Sequence, residues 1–248
     1  MKFLATILTS DDLEKLERAI KSVEGVDTLV VANSLDASYA QKAKEVADKY
    51  DCMFIETESN GTPGRGKQSV LDYFNTTEYD YLIPIDGDDY LTVGGVDKII
   101  QHVKKTNCDL LTDIGNAMED GKNVVEHLFK VDMFKSKDWS VSEMKSWMRV
   151  AKAYDKFNMP SKMMRYLCLS KKCASSFKYR DDLAGSEDIL SACEIYQNKN
   201  LKLETTTEQI YIYDFDNGGA FWNYYSNQNE MEKTAAALEE LYERKVAV

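Results

Sequence analysis

A chain of 248 residues that is 44% hydrophobic and has only 3 prolines carries enough apolar material for one sizeable α/β domain, and is not a disordered or fibrous sequence. Its formal net charge of -11 argues against general binding to nucleic acid or an anionic membrane, but the charge is uneven: between Lys130 and Arg180, 13 Lys and Arg stand against 4 Asp and Glu, net +9, leaving the remainder at -20. Five cysteines with no CxxC pair favour neither a disulfide framework nor a zinc cluster, and a reducing cytoplasm is the expected location.

The opening "MKFLATILTSDD" has an apolar run that stops at Ser10-Asp11-Asp12, too soon for a secretory core or a membrane span. "KFLATIL" is therefore expected as a buried strand. "DDLEKLERAIKSVE" follows as a helix, with Leu13, Leu16, Ile20 and Val23 on one face. "DTLVVAN", "SYAQKAKEVADKY", "CMFIETES", "QSVLDYF" and "YDYLIPI" continue as strand, helix, strand, short helix and strand. Such alternation predicts a mostly parallel sheet with a ligand crevice at the carboxyl ends of its strands. The segments "ANSLDAS", "ESNGTPGRGKQS" and "DGDDY" sit at those ends and should meet in space.

Further on, "GGVDKIIQHVKKT" reads as a helix, "CDLLTDIG" as a strand and "EDGK" as a turn before "NVVEHLF". A helical pattern runs from about Ser142 to Phe157, followed by "RYLCLS" as a strand, "GSEDILSACEIYQN" as a helix and "EQIYIYDFD" as a strand. The tail from about Asn229 to Val246 is an amphipathic helix with Ala235, Leu238, Leu241 and Tyr242 as its apolar stripe.

Two motifs carry chemistry. In "NGTPGRGKQS", residues 60 to 69, Gly61, Gly66 and Lys67 have the spacing of a phosphate-binding P-loop, with "YLIPID" in the place of a Walker B strand. Gln68 stands where that loop needs a Mg²⁺-binding Ser or Thr, with Ser69 as a substitute, and Pro84 interrupts the later strand. The second motif is Asp86-Gly87-Asp88-Asp89, directly after the apolar "YLIPI". Carboxylates crowded at a strand end repel one another unless a cation or hydrogen-bond donors hold them, and a hard divalent ion does this well. A solvated turn or helix cap accounts for the same residues.

The order "NGTPGRGKQS", "IDGDDYL", "GSEDI" resembles inverting glycosyltransferases of the GT-A type, family 2, over roughly residues 3 to 215. The resemblance implies a Rossmann-like, mostly parallel mixed sheet flanked by helices, in a single domain over 1–248. Residues 1–115 would be its nucleotide-sugar-binding half, and 116–248 a helical and β acceptor-side half ending in the C-terminal helix. It implies a nucleotide-sugar donor, expected to be a UDP-sugar, and a Mn²⁺ or Mg²⁺ ion. Asp86 would contact the nucleoside, Asp88 the diphosphate and, with Asp86, the metal; Asp188 would be the catalytic base, with Glu187 as the second choice. Thr9, Asp36, Asn60 and Gly61 would line the donor pocket, where Arg65 and Lys67 face the phosphates.

Some positions depart from that pattern. Asn33 replaces an aspartate that many members have after the second strand. No late histidine completes a metal site; Asp214 or Asp216 would substitute, and His102 and His127 read as surface or packing residues. The absence of a QxxRW motif points to a single-transfer enzyme.

The basic segment bears on the acceptor. Lys145, Arg149, Lys152 and Lys156 fall at helical spacing on one face, with Met144, Met148 and Ala151 on another. Trp139, Trp147, Lys162, Arg165, Lys171 and Lys172 extend the basic, aromatic-bearing region in the manner of a nucleic-acid surface, although a solvated helix face has the same signature. An anionic acceptor is expected. DNA bearing hydroxylated bases, as glycosylated by some phages, is one choice, and a phosphorylated glycan is another. No hydrophobic anchor supports a lipid-linked acceptor, and no feature points to an obligate protein partner. A P-loop kinase or NTPase and a non-catalytic sugar-nucleotide or nucleic-acid binding module are the alternative readings.

Overall fold

In the computed structural model, residues 1–113, 116–119, 122–123, 140–157, 165–214 and 227–246 are described. β1 (Phe3–Thr9), β2 (Asp27–Ala32) and β4 (Tyr81–Asp86) are almost entirely buried, as expected of parallel strands covered on both faces, and β3 (Met53–Glu56) closes the edge. β1 pairs in parallel with β2 on one side and β4 on the other. β9 (Arg165–Ser170) then inserts antiparallel between β4 and β6 (Leu110–Asp113), and β10 (Leu203–Thr206) pairs in parallel with β6. The seven strands run β10-β6-β9-β4-β1-β2-β3. A second sheet has the order β5-β11-β7-β8, formed by β5 (Tyr90–Leu91), β7 (Asn116–Glu119), β8 (Lys122–Asn123) and β11 (Tyr211–Asp214).

α1 (Leu13–Lys21) and α2 (Ala37–Lys49) connect the first three strands, and each starts where an aspartate caps it. Asp12 accepts from the backbone N–H groups of Glu14 and Lys15, and Asp36 from that of Ser38. Asp36 is thus the exposed cap of α2 and is not among the residues that bound the cleft described below. α3 (Pro63–Thr76) begins five residues before the expected "QSVLDYF". Its signals are the cap Thr62, which accepts from Arg65 N–H, and a proline in the first turn. Gly64, Arg65, Gly66 and Lys67 therefore belong to the first turns of a helix. α4 (Gly95–Thr106) precedes β6. β5, β7 and β10 have no counterpart among the expected strands: the first has two residues, "NAME" follows directly on the expected strand "CDLLTDIG", and "LETT" has no apolar alternation.

α5 (Val141–Asp155), the short α6 (Lys171–Ala174), α7 (Glu187–Gln197) and α8 (Gln228–Val246) complete the second half. α5 packs Val150 and Ala153, with Phe157 just beyond its end, against Met231, Ala235 and Leu238 of α8. Met148, expected on the apolar face, is 48% exposed. The expected cationic stripe is also divided. Arg149 donates to Glu232 and Glu239 of α8, and Ser146 donates to Glu232, so one member of the stripe is consumed in helix pairing. Lys145, Lys152 and Lys156 remain exposed, although Lys156 lies over the Tyr242 ring. Part of the contrast between a basic middle and an acidic remainder is therefore an internal pairing of α5 with α8.

The other basic residues are dispersed. Lys172 pairs with Asp109 and Lys171 donates to the Thr77 carbonyl, while Trp139, Lys162, His127, Met144 and Asp216 lie outside the residues whose side chains are described. All five cysteines are free thiols. Among the described residues, no helix is long and apolar enough to cross a membrane.

Candidate active site

β1 continues through α1 to β2 on one side, whereas β4 lies on its other side. The carboxyl ends of β1 and β4 are thus a topological switch point, where an open α/β sheet forms its ligand crevice. Thr9 ends β1 and Asp86 ends β4. Gly87 carries the chain directly over β1: its N–H donates to the Leu8 carbonyl, and a Cβ there would stand 2.7 Å from that oxygen.

The glycines of the P-loop-like stretch serve the same closeness. A Cβ on Gly66 would come within 2.6 Å of Leu8 Cδ1 and 2.8 Å of Asn33 Nδ2, and one on Gly64 within 1.8 Å of the Arg180 carbonyl oxygen. The spacing that resembles a phosphate loop lets α3 lie against β1 and against the segment leading into α7. Gly64→Ala is expected to destabilise the protein more than Gly66→Ala. The first displaces backbone, the second chiefly a side-chain end, and overpacking costs about 1–3 kcal/mol or somewhat more. Urea denaturation of the two variants measures the order.

The crevice is a cleft of about 350 Å³ bounded by Thr9, Asn33, Gly61 to Pro63, Lys67, Asp86, Asp88, Arg165 and Ser186 to Ile189, with Tyr213 beside them. Thr9 is buried and its hydroxyl meets that of Tyr39 on α2. Asn33 is also buried: its amide donates to the Thr62 carbonyl at 2.9 Å and accepts from the Thr57 hydroxyl, so it fixes the wall below Gly61. Asn60 ties the same loop to the second half, donating to the Asp181 carbonyl at 2.7 Å. Gly61 adopts φ 81°, a conformation that glycine tolerates best. Arg65 points elsewhere, donating to the Glu58 carbonyl and pairing with Asp181 at 3.5 Å.

The acidic turn divides its work. Asp88 is exposed at the cleft, and the surrounding protein followed by the Asp86 carboxylate raises its pKa. Asp86 is shared by two cations, Lys67 at 3.6 Å and Arg165 at 3.8 Å. Asp89 is fully buried and accepts from the Tyr211 hydroxyl at 2.8 Å and the Asp214 N–H at 2.9 Å, tying the turn to β11. Asp214 itself pairs with Arg18 at 2.6 Å, and Arg18 also donates to the Asp88 carbonyl.

Opposite this turn is the amino end of α7. Lys67 donates to Glu187 at 2.7 Å; burial opposes its charge, but Asp86, Glu187 and Asp188 outweigh burial and hold the ammonium protonated. Glu187 is 4% exposed. Asp188 is only half-buried and faces the cleft, with one carboxylate oxygen accepting from Ile189 N–H. Arg165 was grouped in the sequence with the basic acceptor-side segment. It lies at the cleft floor instead, 4.2 Å from the centre of the Tyr213 ring. No local signal separates it from the neighbouring basic residues, because β9 reaches β4 only through the antiparallel insertion.

No protein-family profile and no curated protein matches the chain. Solved structures of S. aureus TarS do match it. One TarS structure has a TM-score of 0.59 and 16% identity, over 90% of this chain and 38% of that one. TarS 1-349 in complex with UDP-GlcNAc gives 0.57 and 18%, over 90% and 61%. TarS 1-349 in complex with UDP gives 0.60 and 15%, over 96% and 65%. The present chain thus spans between 38% and 65% of the length of these TarS chains. The likeness is one of fold: a mixed, mostly parallel seven-stranded sheet flanked by helices, as in GT-A glycosyltransferases.

Proposed function

We propose that this chain transfers a sugar from a nucleotide sugar, with a UDP-sugar as donor, to an acceptor hydroxyl, with inversion at the anomeric carbon. The observation that carries the reading is the convergence of Asp86, Asp88 and Asp188 on one cleft at the β1/β4 switch point, in a fold shared with a protein crystallised with UDP and UDP-GlcNAc. In this reading the half-buried Asp188 takes the proton of the acceptor hydroxyl. As that oxygen bonds to the anomeric carbon, the bond to the diphosphate breaks and UDP leaves with its electron pair. Arg165 faces the cleft with its guanidinium 3.8 Å from Asp86, and in this reading it takes the place expected of Arg65 in balancing the leaving charge.

A divalent ion fits one position. Among the described residues, no group of three or more His, Cys, Asp or Glu is arranged to hold a metal. Mg²⁺ and Mn²⁺ need no such cage, because one or two carboxylates suffice when substrate phosphates and water complete the coordination. Asp88 is the carboxylate free for this role, since Asp86 is shared by two cations. A bound ion would stabilise the negative charge that develops on the diphosphate.

An anionic acceptor, DNA included, now rests on the exposed Lys145, Lys152 and Lys156, because Arg149 is engaged with α8.

A panel of UDP- and GDP-sugars with Mn²⁺, followed by thermal shift and by slow sugar release, tests the reading. UDP-sugars should stabilise the protein and be hydrolysed; ATP turnover without UDP binding would move the function to the kinase class. Asp88→Ala should abolish the Mn²⁺-dependent part of the stabilisation by UDP while the apo protein keeps its melting temperature, because that carboxylate is exposed. Unchanged Mn²⁺ dependence in the variant would place the ion elsewhere.

A further inference from the structure

We infer that Lys67 is a positioning residue that braces the base-bearing helix, and not a ligand of the donor phosphates; the inference rests on the transfer reaction proposed above. Three elements meet at its ammonium: α3, which carries it, β4 through Asp86 at 3.6 Å, and α7 through Glu187 at 2.7 Å. Both partners of the shorter contact are withdrawn from solvent, the Lys67 side chain being 17% exposed and that of Glu187 5%. Moving the ammonium off Glu187 towards a diphosphate would leave a buried carboxylate without its cation. Breaking a buried pair in this way is far more costly than losing a surface pair.

The start of α7 needs such a brace. Ser186, which precedes Glu187, has φ 63° and ψ 14°, a left-handed backbone that a non-glycine residue adopts only when its surroundings impose it, and its side chain makes no capping hydrogen bond. The first turn of α7 is therefore without the usual Ser, Thr, Asp or Asn cap interaction. The Lys67–Glu187 pair attaches that turn to α3, and Tyr166 on β9 holds it from the other side, meeting Ser191 Oγ at 3.0 Å and the Asp188 carbonyl at 3.5 Å. Asp188 directly follows the braced residue, so the direction of its carboxylate depends on where Glu187 is held. Gly66 brings α3 close enough to β1 for Lys67 to reach both partners.

The two roles give different kinetics. The test compares wild type, Lys67→Met, Glu187→Gln and the double variant, with UDP affinity measured by calorimetry in the presence of Mn²⁺ and sugar release or transfer measured separately. As a brace, each single change lowers kcat by roughly 10- to 100-fold and leaves donor KM and UDP Kd within about threefold of wild type, and the double variant is about as slow as the worse single one. As a phosphate ligand, Lys67→Met weakens UDP by about tenfold or more, the two changes multiply, and the inference is overturned.

Should Lys67→Met fail to fold, Glu187→Gln carries the test, with Asp188→Asn beside it. Unchanged UDP affinity with reduced kcat supports the brace when Asp188→Asn is also slowed by about 10² or more, and overturns it in favour of Glu187 as the base when Asp188→Asn stays active. Tightening of UDP by about tenfold, from an ammonium released to the diphosphate, overturns it. If wild-type protein binds no UDP at all, the proposed reaction itself has failed, an outcome separate from either of these.

Discussion

Asp188→Asn is expected to lower sugar transfer by about 10² to 10⁴, the usual contribution of a positioned general base, with UDP affinity close to that of wild type. The amide keeps the size and the hydrogen-bond acceptor that receives Ile189 N–H at 2.8 Å, so α7 retains its local structure while the group that takes the proton is lost. Glu187 is the other carboxylate at this helix start, and its burial against Lys67 sets it apart: a base whose oxygen is already held at 2.7 Å by an ammonium is poorly placed to receive a proton from the cleft. Steady-state kinetics with a fixed donor, alongside calorimetric UDP binding, check the outcome. Activity within a few-fold of wild type in Asp188→Asn, together with loss in Glu187→Gln, would reverse the two roles.

Asp89→Ala is expected to destabilise the protein by about 2–6 kcal/mol, from two donors that each lose their acceptor at about 1–3 kcal/mol. The carboxylate has no solvent exposure and holds both the Tyr211 hydroxyl and the Asp214 N–H, and the same Tyr211 oxygen accepts from Asp86 N–H at 3.1 Å. Its removal leaves buried donors without an acceptor and takes away a carboxyl group that neighbours Arg165, which links the stability loss to the cleft. Chemical denaturation should report the loss, and UDP binding should weaken with it as the acidic turn comes away from β11. A change below about 1 kcal/mol, the scale of an ordinary hydrogen bond, would mean that the network is held by Arg18 and not by Asp89.

Much of the fold was legible in local pattern. The alternation of buried runs with amphipathic segments determined β1 to β4 and the helices between them, because strand and helix periodicities are set within a few residues. Asp12 and Thr62 mark their helix starts for the same local reason, and reading Thr62-Pro63 as a cap and first turn would have placed α3 correctly. The acidic turn after an apolar strand also pointed by itself to the carboxyl end of a central strand, where Thr9, Asp86, Asp88 and Asp188 line one cleft.

Side-chain roles were decided by tertiary structure wherever a partner lies far along the chain. Lys67 meets Glu187 across 120 residues, and Arg149 meets Glu232 across 83. A cation's identity and spacing say that it is charged, but not which carboxylate neutralises it, and that partner decides whether it remains free for a ligand. The glycines show the same division. Their spacing around Lys67 was visible in the sequence, yet only the approach of α3 to β1 and to the Arg180 backbone gave that spacing a steric reason, because close packing is a relation between elements that no single segment contains.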